Sequence, residues 1–265
     1  MTRQNLFRLL GITAIVVVIG YALTRLPSLQ GGGAARENTP VATQGAVDRG
    51  NQLASEGKLE EAFAQYNTAI QNNTDLAAAY SGRGNIFTQW RRFAEAANDY
   101  TTALQYNKTA EVLINRCNAN RMLAKPEAAR QDCSEAIQLN PEMADAHLAL
   151  AMLNLDQGNT AEAETAVQTA LEINPDSATT YHVLSQIKLI EGDMEGAIEA
   201  LTKSIEIDPN QPQYYWDRGF TYYMTGQIEP AKEDMRQLLE IGNPERDGEL
   251  LLRAGTLLTS FGETP

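Results

Sequence analysis

Six alanines, Ala62, Ala96, Ala129, Ala163, Ala197 and Ala231, recur along the chain at intervals of 34 or 33 residues. Twelve residues before each stands another small side chain: Gly50, Gly84, Cys117, Ala151, Ser185 and Gly219. Two small residues at fixed places in every period let two helices approach closely, and a larger side chain there would overpack the contact by about 1–3 kcal/mol. Residues 144–177 show one period plainly. Apolar residues fall at helical spacing over 144–157 and 160–173, Gly158 and Asn159 break the two runs, and Pro175 ends the second. Such units predict stacked helical hairpins, each of which buries its apolar face against its neighbours.

The unit resembles a tetratricopeptide repeat (TPR). Residues 178–211 carry that family's pattern as Tyr181, Leu184, Ser185, Ala197, Leu201, Ser204 and Pro209, with Lys188 the one departure. Residues 212–245 keep Tyr215, Gly219, Tyr222, Ala231 and Met235, but Leu238 and Asn243 replace the small residue and the proline. The first two repeats end on Thr74 and Lys108 in place of proline. The resemblance implies an all-α fold: a right-handed α-solenoid of about six hairpins, at 43–76, 77–109, 110–143, 144–177, 178–211 and 212–245. Residues 246–265 then read as a C-terminal helix and tail that cap the apolar side of the last hairpin.

Ahead of the repeats, Arg3 and Arg8 precede an uncharged run from Leu9 to Thr24, which Arg25 closes. As a helix that run spans about 24 Å, and flanking arginines can snorkel to the headgroups of a roughly 30 Å hydrocarbon core. Residues 1–25 therefore read as an N-terminal transmembrane signal anchor, with a cleaved signal peptide as the alternative. Positive charge on the short side places the repeats on the extracytoplasmic face of a single-pass membrane protein. Residues 26–42, with Pro27, three consecutive glycines and Pro40, read as a flexible linker.

Composition limits what such a domain binds. A net charge of −13 opposes nucleic acid, whose phosphates call for Lys and Arg. The acid is concentrated: residues 144–211 hold 2 basic and 12 acidic side chains, against 10 and 12 in 43–143. That reads as a solvated face, or as a field that steers a basic partner. His147 and His182 are the only histidines, and no phosphate-cradling glycine loop, nucleophile elbow or Cys-x-x-Cys occurs. No catalytic residue, metal or cofactor is expected. Cys117 and Cys133 read as two small residues packed inside the third hairpin, or as a disulfide if the domain is extracytoplasmic.

The resemblance further implies a concave groove, lined by the first helix of each hairpin, that takes a protein or peptide. In repeats one to three its positions hold Asn51, Asn85, Asn115, Asn118 and Arg121, and amides offer donors and acceptors to an extended backbone. In repeats four to six they hold Leu148, Met152, Leu155, His182, Gln186, Leu189, Ile190, Trp216, Phe220, Tyr223 and Met224. These are expected to form an open apolar and aromatic patch, used for a partner or for homo-oligomerisation, with the C-terminal helix folded over part of it as the competing arrangement. Val47 and Glu111 stand where the family's carboxylate-clamp variety has lysines, which disfavours that subtype. The function expected is a non-enzymatic, membrane-tethered scaffold, an assembly or chaperone-like factor for a membrane-associated complex.

Overall fold

The computed structural model describes residues 41–263, so the expected anchor and the linker up to residue 40 lie outside the described residues. Those residues form thirteen α-helices and no strand, in two compact units that divide after Ala124.

In unit one, α1 (Val41–Ser55) and α2 (Leu59–Gln71) make a hairpin, α3 (Leu76–Gln89) and α4 (Phe93–Tyr106) make a second, and α5 (Ala110–Met122) packs on α4. The helix α1 starts inside the stretch read as linker, because Ala46, Val47 and Leu53 share a face that buries against Ala62, Tyr66 and Ala69 of α2. The first helices α1, α3 and α5 also touch in succession, which sets their side chains in a row.

Unit two opens with α6 (Pro126–Leu139) and continues as three hairpins: α7 (Ala144–Asp156) with α8 (Thr160–Ile173), α9 (Ala178–Glu191) with α10 (Met194–Ile207), and α11 (Pro212–Met224) with α12 (Ile228–Ile241). A last helix, α13 (Pro244–Ser260), packs on α11 and α12. Pro126, Pro212 and Pro244 occupy first-turn positions, where a missing N–H is lost from no intrahelical bond.

Local chemistry explains why the helices break where they do. The turns after α1, α7, α9 and α11 each contain a glycine at positive φ: Gly57, Gly158, Gly192 and Gly226, at +75° to +84°. At the corresponding places after α3 and α5 stand Arg91 (+59°) and Ala124 (+53°), which adopt the same conformation without the freedom of glycine. All six alanines of the periodic series are fully buried. Cys117 and Cys133 are buried too, and neither is a free thiol. Among the described residues, no helix is long and apolar enough to cross a membrane.

Candidate functional site

The small-residue series positions the amides of unit one. The Tyr66 ring, from α2, lies against both Gly50 of α1 and Gly82 of α3; an added Cβ would fall 2.7 Å from it at the first and 2.5 Å at the second. That close approach lets the Tyr66 hydroxyl donate to Asn51 Oδ1 at 2.8 Å. The next hairpin repeats the arrangement: Tyr100 lies against Gly84 and donates to Asn85 Oδ1 at 2.8 Å. Asn115 Nδ2 donates to the same oxygen at 3.2 Å, linking α5 to α3. Burial pushes both phenols up, and raises Tyr100 to about 12 although its bond with Thr88 pulls the other way.

These bonds change the chemistry expected of the row. The oxygens of Asn51 and Asn85 already accept from tyrosine, whereas no bond from either Nδ2 is made among the described residues. Both asparagines are exposed, so what they present to a ligand is N–H donors. Asn118 differs. Tyrosine stands fifteen residues after Asn51 and Asn85, but Cys133 stands fifteen after Asn118. Its Oδ1 is buried without a hydrogen-bond partner. Arg121 is half-buried in the last turn of α5.

A second repeated device was not anticipated. Arg83 of α3 makes a two-pronged ion pair with Asp99 of α4, at 2.7 and 2.8 Å, and donates to Asn67 at 2.6 Å. Arg218 of α11 does the same with Asp234 of α12, at 2.9 and 2.7 Å, and donates to Thr202 at 3.1 Å. Arg116 holds the corresponding place on α5 and donates to Thr101 at 3.1 Å. Each arginine ties its helix to the preceding hairpin. An Arg and an Asp sixteen residues apart, repeated in the 34-residue frame, is a signal that could have revealed it. Burial holds the Asp234 carboxyl above its ordinary value, against the pull of Arg218.

In unit two the expected open patch is largely covered. Trp216 is 4% exposed and Phe220 5%, and Leu148 and Leu189 are buried as well. Met152, Leu155, His182, Gln186 and Ile190 are half-buried, which leaves Tyr223 at 40% and Met224 at 37% as the exposed remainder. The correction has a physical cause. Aromatic rings at first-helix positions are wide enough to reach the neighbouring helix, and α13 lies over them: Arg253 stacks 4.2 Å from the Trp216 ring centre, and Phe261 meets Tyr223 at 5.6 Å. Of the side chains expected in the open patch, Tyr223 and Met224 are the exposed ones.

The histidines have structural partners. His182 Nε2 lies 2.7 Å from Asp217 Oδ2, its ring 5.0 Å from that of Tyr214, and Gln213 donates to the other Asp217 oxygen at 2.9 Å. His147 Nε2 lies 2.9 Å from the Pro141 carbonyl oxygen. Lys188, the departure from the repeat pattern, bonds Glu164 at 2.7 Å and Glu191 at 3.0 Å, which raise it to about 12. Among the described residues, no group of acidic, His or Cys side chains is arranged to hold a metal ion.

Short helical hairpins that set the side chains of their first helices in rows define a helical-repeat binding scaffold. Profiles of the tetratricopeptide repeat match residues 50–90, 123–187 and 186–226. The chain is a tetratricopeptide-repeat protein. Tetratricopeptide repeat protein 6 of Homo sapiens is 28% identical over 103 residues, which cover 39% of this chain and 20% of that protein. The mitochondrial import receptor subunit TOM70 of Homo sapiens is 32% identical over 95 residues, 34% of this chain and 16% of the relative. The chain thus spans a quarter or less of the curated relatives it matches. A tetratricopeptide repeat protein from Parabacteroides merdae superposes with a TM-score of 0.69 at 24% identity, over 81% of this chain and 85% of that one. Pseudomonas aeruginosa pilF gives 0.63 at 18% identity, over 80% and 98%. At these identities the likeness is one of fold.

Proposed function

We propose that the protein is a non-enzymatic scaffold that holds a protein or peptide against the first helices of unit one, close to a membrane, as an assembly or chaperone-like factor. The observation that carries the reading is the pair of exposed amides whose oxygens are tied to Tyr66 and Tyr100 and whose N–H donors are left for a ligand. Donors one repeat apart suit the carbonyl oxygens of an extended chain, and they place little demand on its side chains.

Tethering rests on the run Leu9–Thr24 and its flanking arginines, which favour an anchor with the repeats outside the cytoplasm. The lack of free thiols among the described residues is in keeping with an oxidising compartment. A relative named as a mitochondrial import receptor subunit is in keeping with work at a membrane.

The full-length chain carrying Asn51→Asp and Asn85→Asp tests the proposal. Aspartate keeps an acceptor for each tyrosine but replaces the outward donor with a second acceptor. Co-purification from native membranes should lose the partner while the helical signal is retained. Recovery of the same partner by the variant would exclude these amides as the binding site.

A further inference from the structure

The first helices of unit two meet in two ways. Helices α7 and α9 lie in direct contact, whereas α9 and α11 come together chiefly through side chains. The link is His182 of α9. Its Nε2 lies 2.7 Å from Asp217 Oδ2 of α11, and its ring packs 5.0 Å from that of Tyr214, also of α11.

Asp217 is poorly provided with positive charge. It is 7% exposed, its other oxygen accepts from the neutral amide of Gln213 at 2.9 Å, and among the described residues no lysine or arginine pairs with it. Arg218, the one cation of α11, is committed to Asp234. A buried carboxylate without a cation is costly, and the group placed to neutralise Asp217 is the imidazole it already touches. The other elements packed on α9 spend their charges elsewhere. Glu164 of α8 bonds Lys188, and Lys203 of α10 bonds Glu206. Glu162 and Glu172 of α8, Glu195 and Glu199 of α10, and Asp145 and Asp156 of α7 are exposed, while His147 of α7 meets the Pro141 carbonyl.

The geometry also fixes where a proton is taken up. A carboxylate only accepts, so Nε2 carries a hydrogen in both charge states of the ring. Nδ1, which bonds nothing among the described residues, is the atom that gains the second proton.

We propose that His182 and Asp217 form a proton-operated clasp between the last two hairpins. With Nδ1 protonated, imidazolium and carboxylate make a charge-assisted bond that cancels the buried charge. Once that proton leaves, Nε2–H still donates, but the Asp217 charge stands uncompensated. Proton uptake therefore favours the closed contact, which is strongest on the acid side of histidine's ordinary range, near about pH 6.5, and loosens as pH rises through it. The clasp lies wholly within unit two and does not depend on the amides of unit one.

Hydrogen exchange of the full-length chain in detergent micelles reads the clasp, with exchange times corrected for the intrinsic pH dependence of amide exchange. Protection of α11 should be at least about threefold higher at pH 6 than at pH 8. His182→Gln keeps a donor for Asp217 but takes up no proton, so its protection should be the same at both pH values. His147→Gln should behave as the unaltered chain does. Equal protection at the two pH values in the unaltered chain, or an undiminished pH response in His182→Gln, overturns the proposal. If His182→Gln loses its helical signal, the imidazole resonances of the unaltered chain and of Asp217→Asn decide. Removing the carboxylate should lower the His182 titration midpoint by at least about 0.5 pH unit, and an unchanged midpoint overturns the proposal.

Discussion

Gly82→Ala tests whether the tyrosine–glycine contacts set the spacing of the first helices in unit one. Taken alone, alanine in a helix interior is more favourable than glycine by about 1 kcal/mol. Here the new Cβ would lie 2.5 Å from both Cε1 and Cζ of Tyr66 and 2.9 Å from its hydroxyl oxygen. The ring is 2% exposed, is in contact with Gly50, and is held by its bond to Asn51, so it has little room to withdraw. Overpacking of this kind costs roughly 1–3 kcal/mol, and displacing the hydroxyl from Asn51 about 1 more. After the helical gain is deducted, the substitution should destabilise the protein by about 1–3 kcal/mol. In a Tyr66→Leu background the clash is gone, and Gly82→Ala should become stabilising by about 0.5–1 kcal/mol. Urea unfolding followed by far-ultraviolet circular dichroism reads both values. A neutral or stabilising Gly82→Ala in the unaltered chain, or the same sign in both backgrounds, would refute the reasoning.

Three further outcomes follow from the structure. Arg91→Gly should stabilise the protein by roughly 0.5–1 kcal/mol in urea unfolding, because it relieves a φ of +59° at a turn where four other hairpins use glycine. Asp234→Ala leaves the Arg218 guanidinium, 17% exposed, without its carboxylate, and should lower stability by about 3 kcal/mol; adding Arg218→Met should recover most of that loss. Tyr100, raised from an ordinary 10.0 to about 12, keeps its proton in the folded state at pH values where the unfolded chain has lost it. Its contribution is therefore intact below pH 10, declines as pH rises toward 12, and amounts to roughly 2–3 kcal/mol. A Tyr100→Phe variant should lack that part of the alkaline loss.

The periodic fold was legible because its determinants are compositional. Alanine at a fixed interval marks close helix contact, and glycine or proline between apolar runs marks the breaks, so the helices from Pro126 to Ile241 can be read from residue types alone. The sites were less legible, since a first-helix position can face a ligand or the next helix. Asn51 and Asn85 face outward but use their oxygens on tyrosines fifteen residues away, a pairing visible only once helix phase is known. Trp216 and Phe220 share those first-helix positions, yet α13 buries them, and the register in which a capping helix lands is not written in periodicity. The Arg–Asp pairs leave a periodic trace, but charged residues in helices read first as solvated surface.

Site-specific photocrosslinking in native membranes tests the central claim most directly. A photoreactive side chain would be placed at Gln89, exposed on the first helix α3, and in a separate chain at Asn98, exposed on the second helix α4. The account predicts a discrete adduct with a protein partner from position 89 and none from position 98. Adducts from position 98 with none from position 89 would contradict it, and would put the binding surface on the second helices.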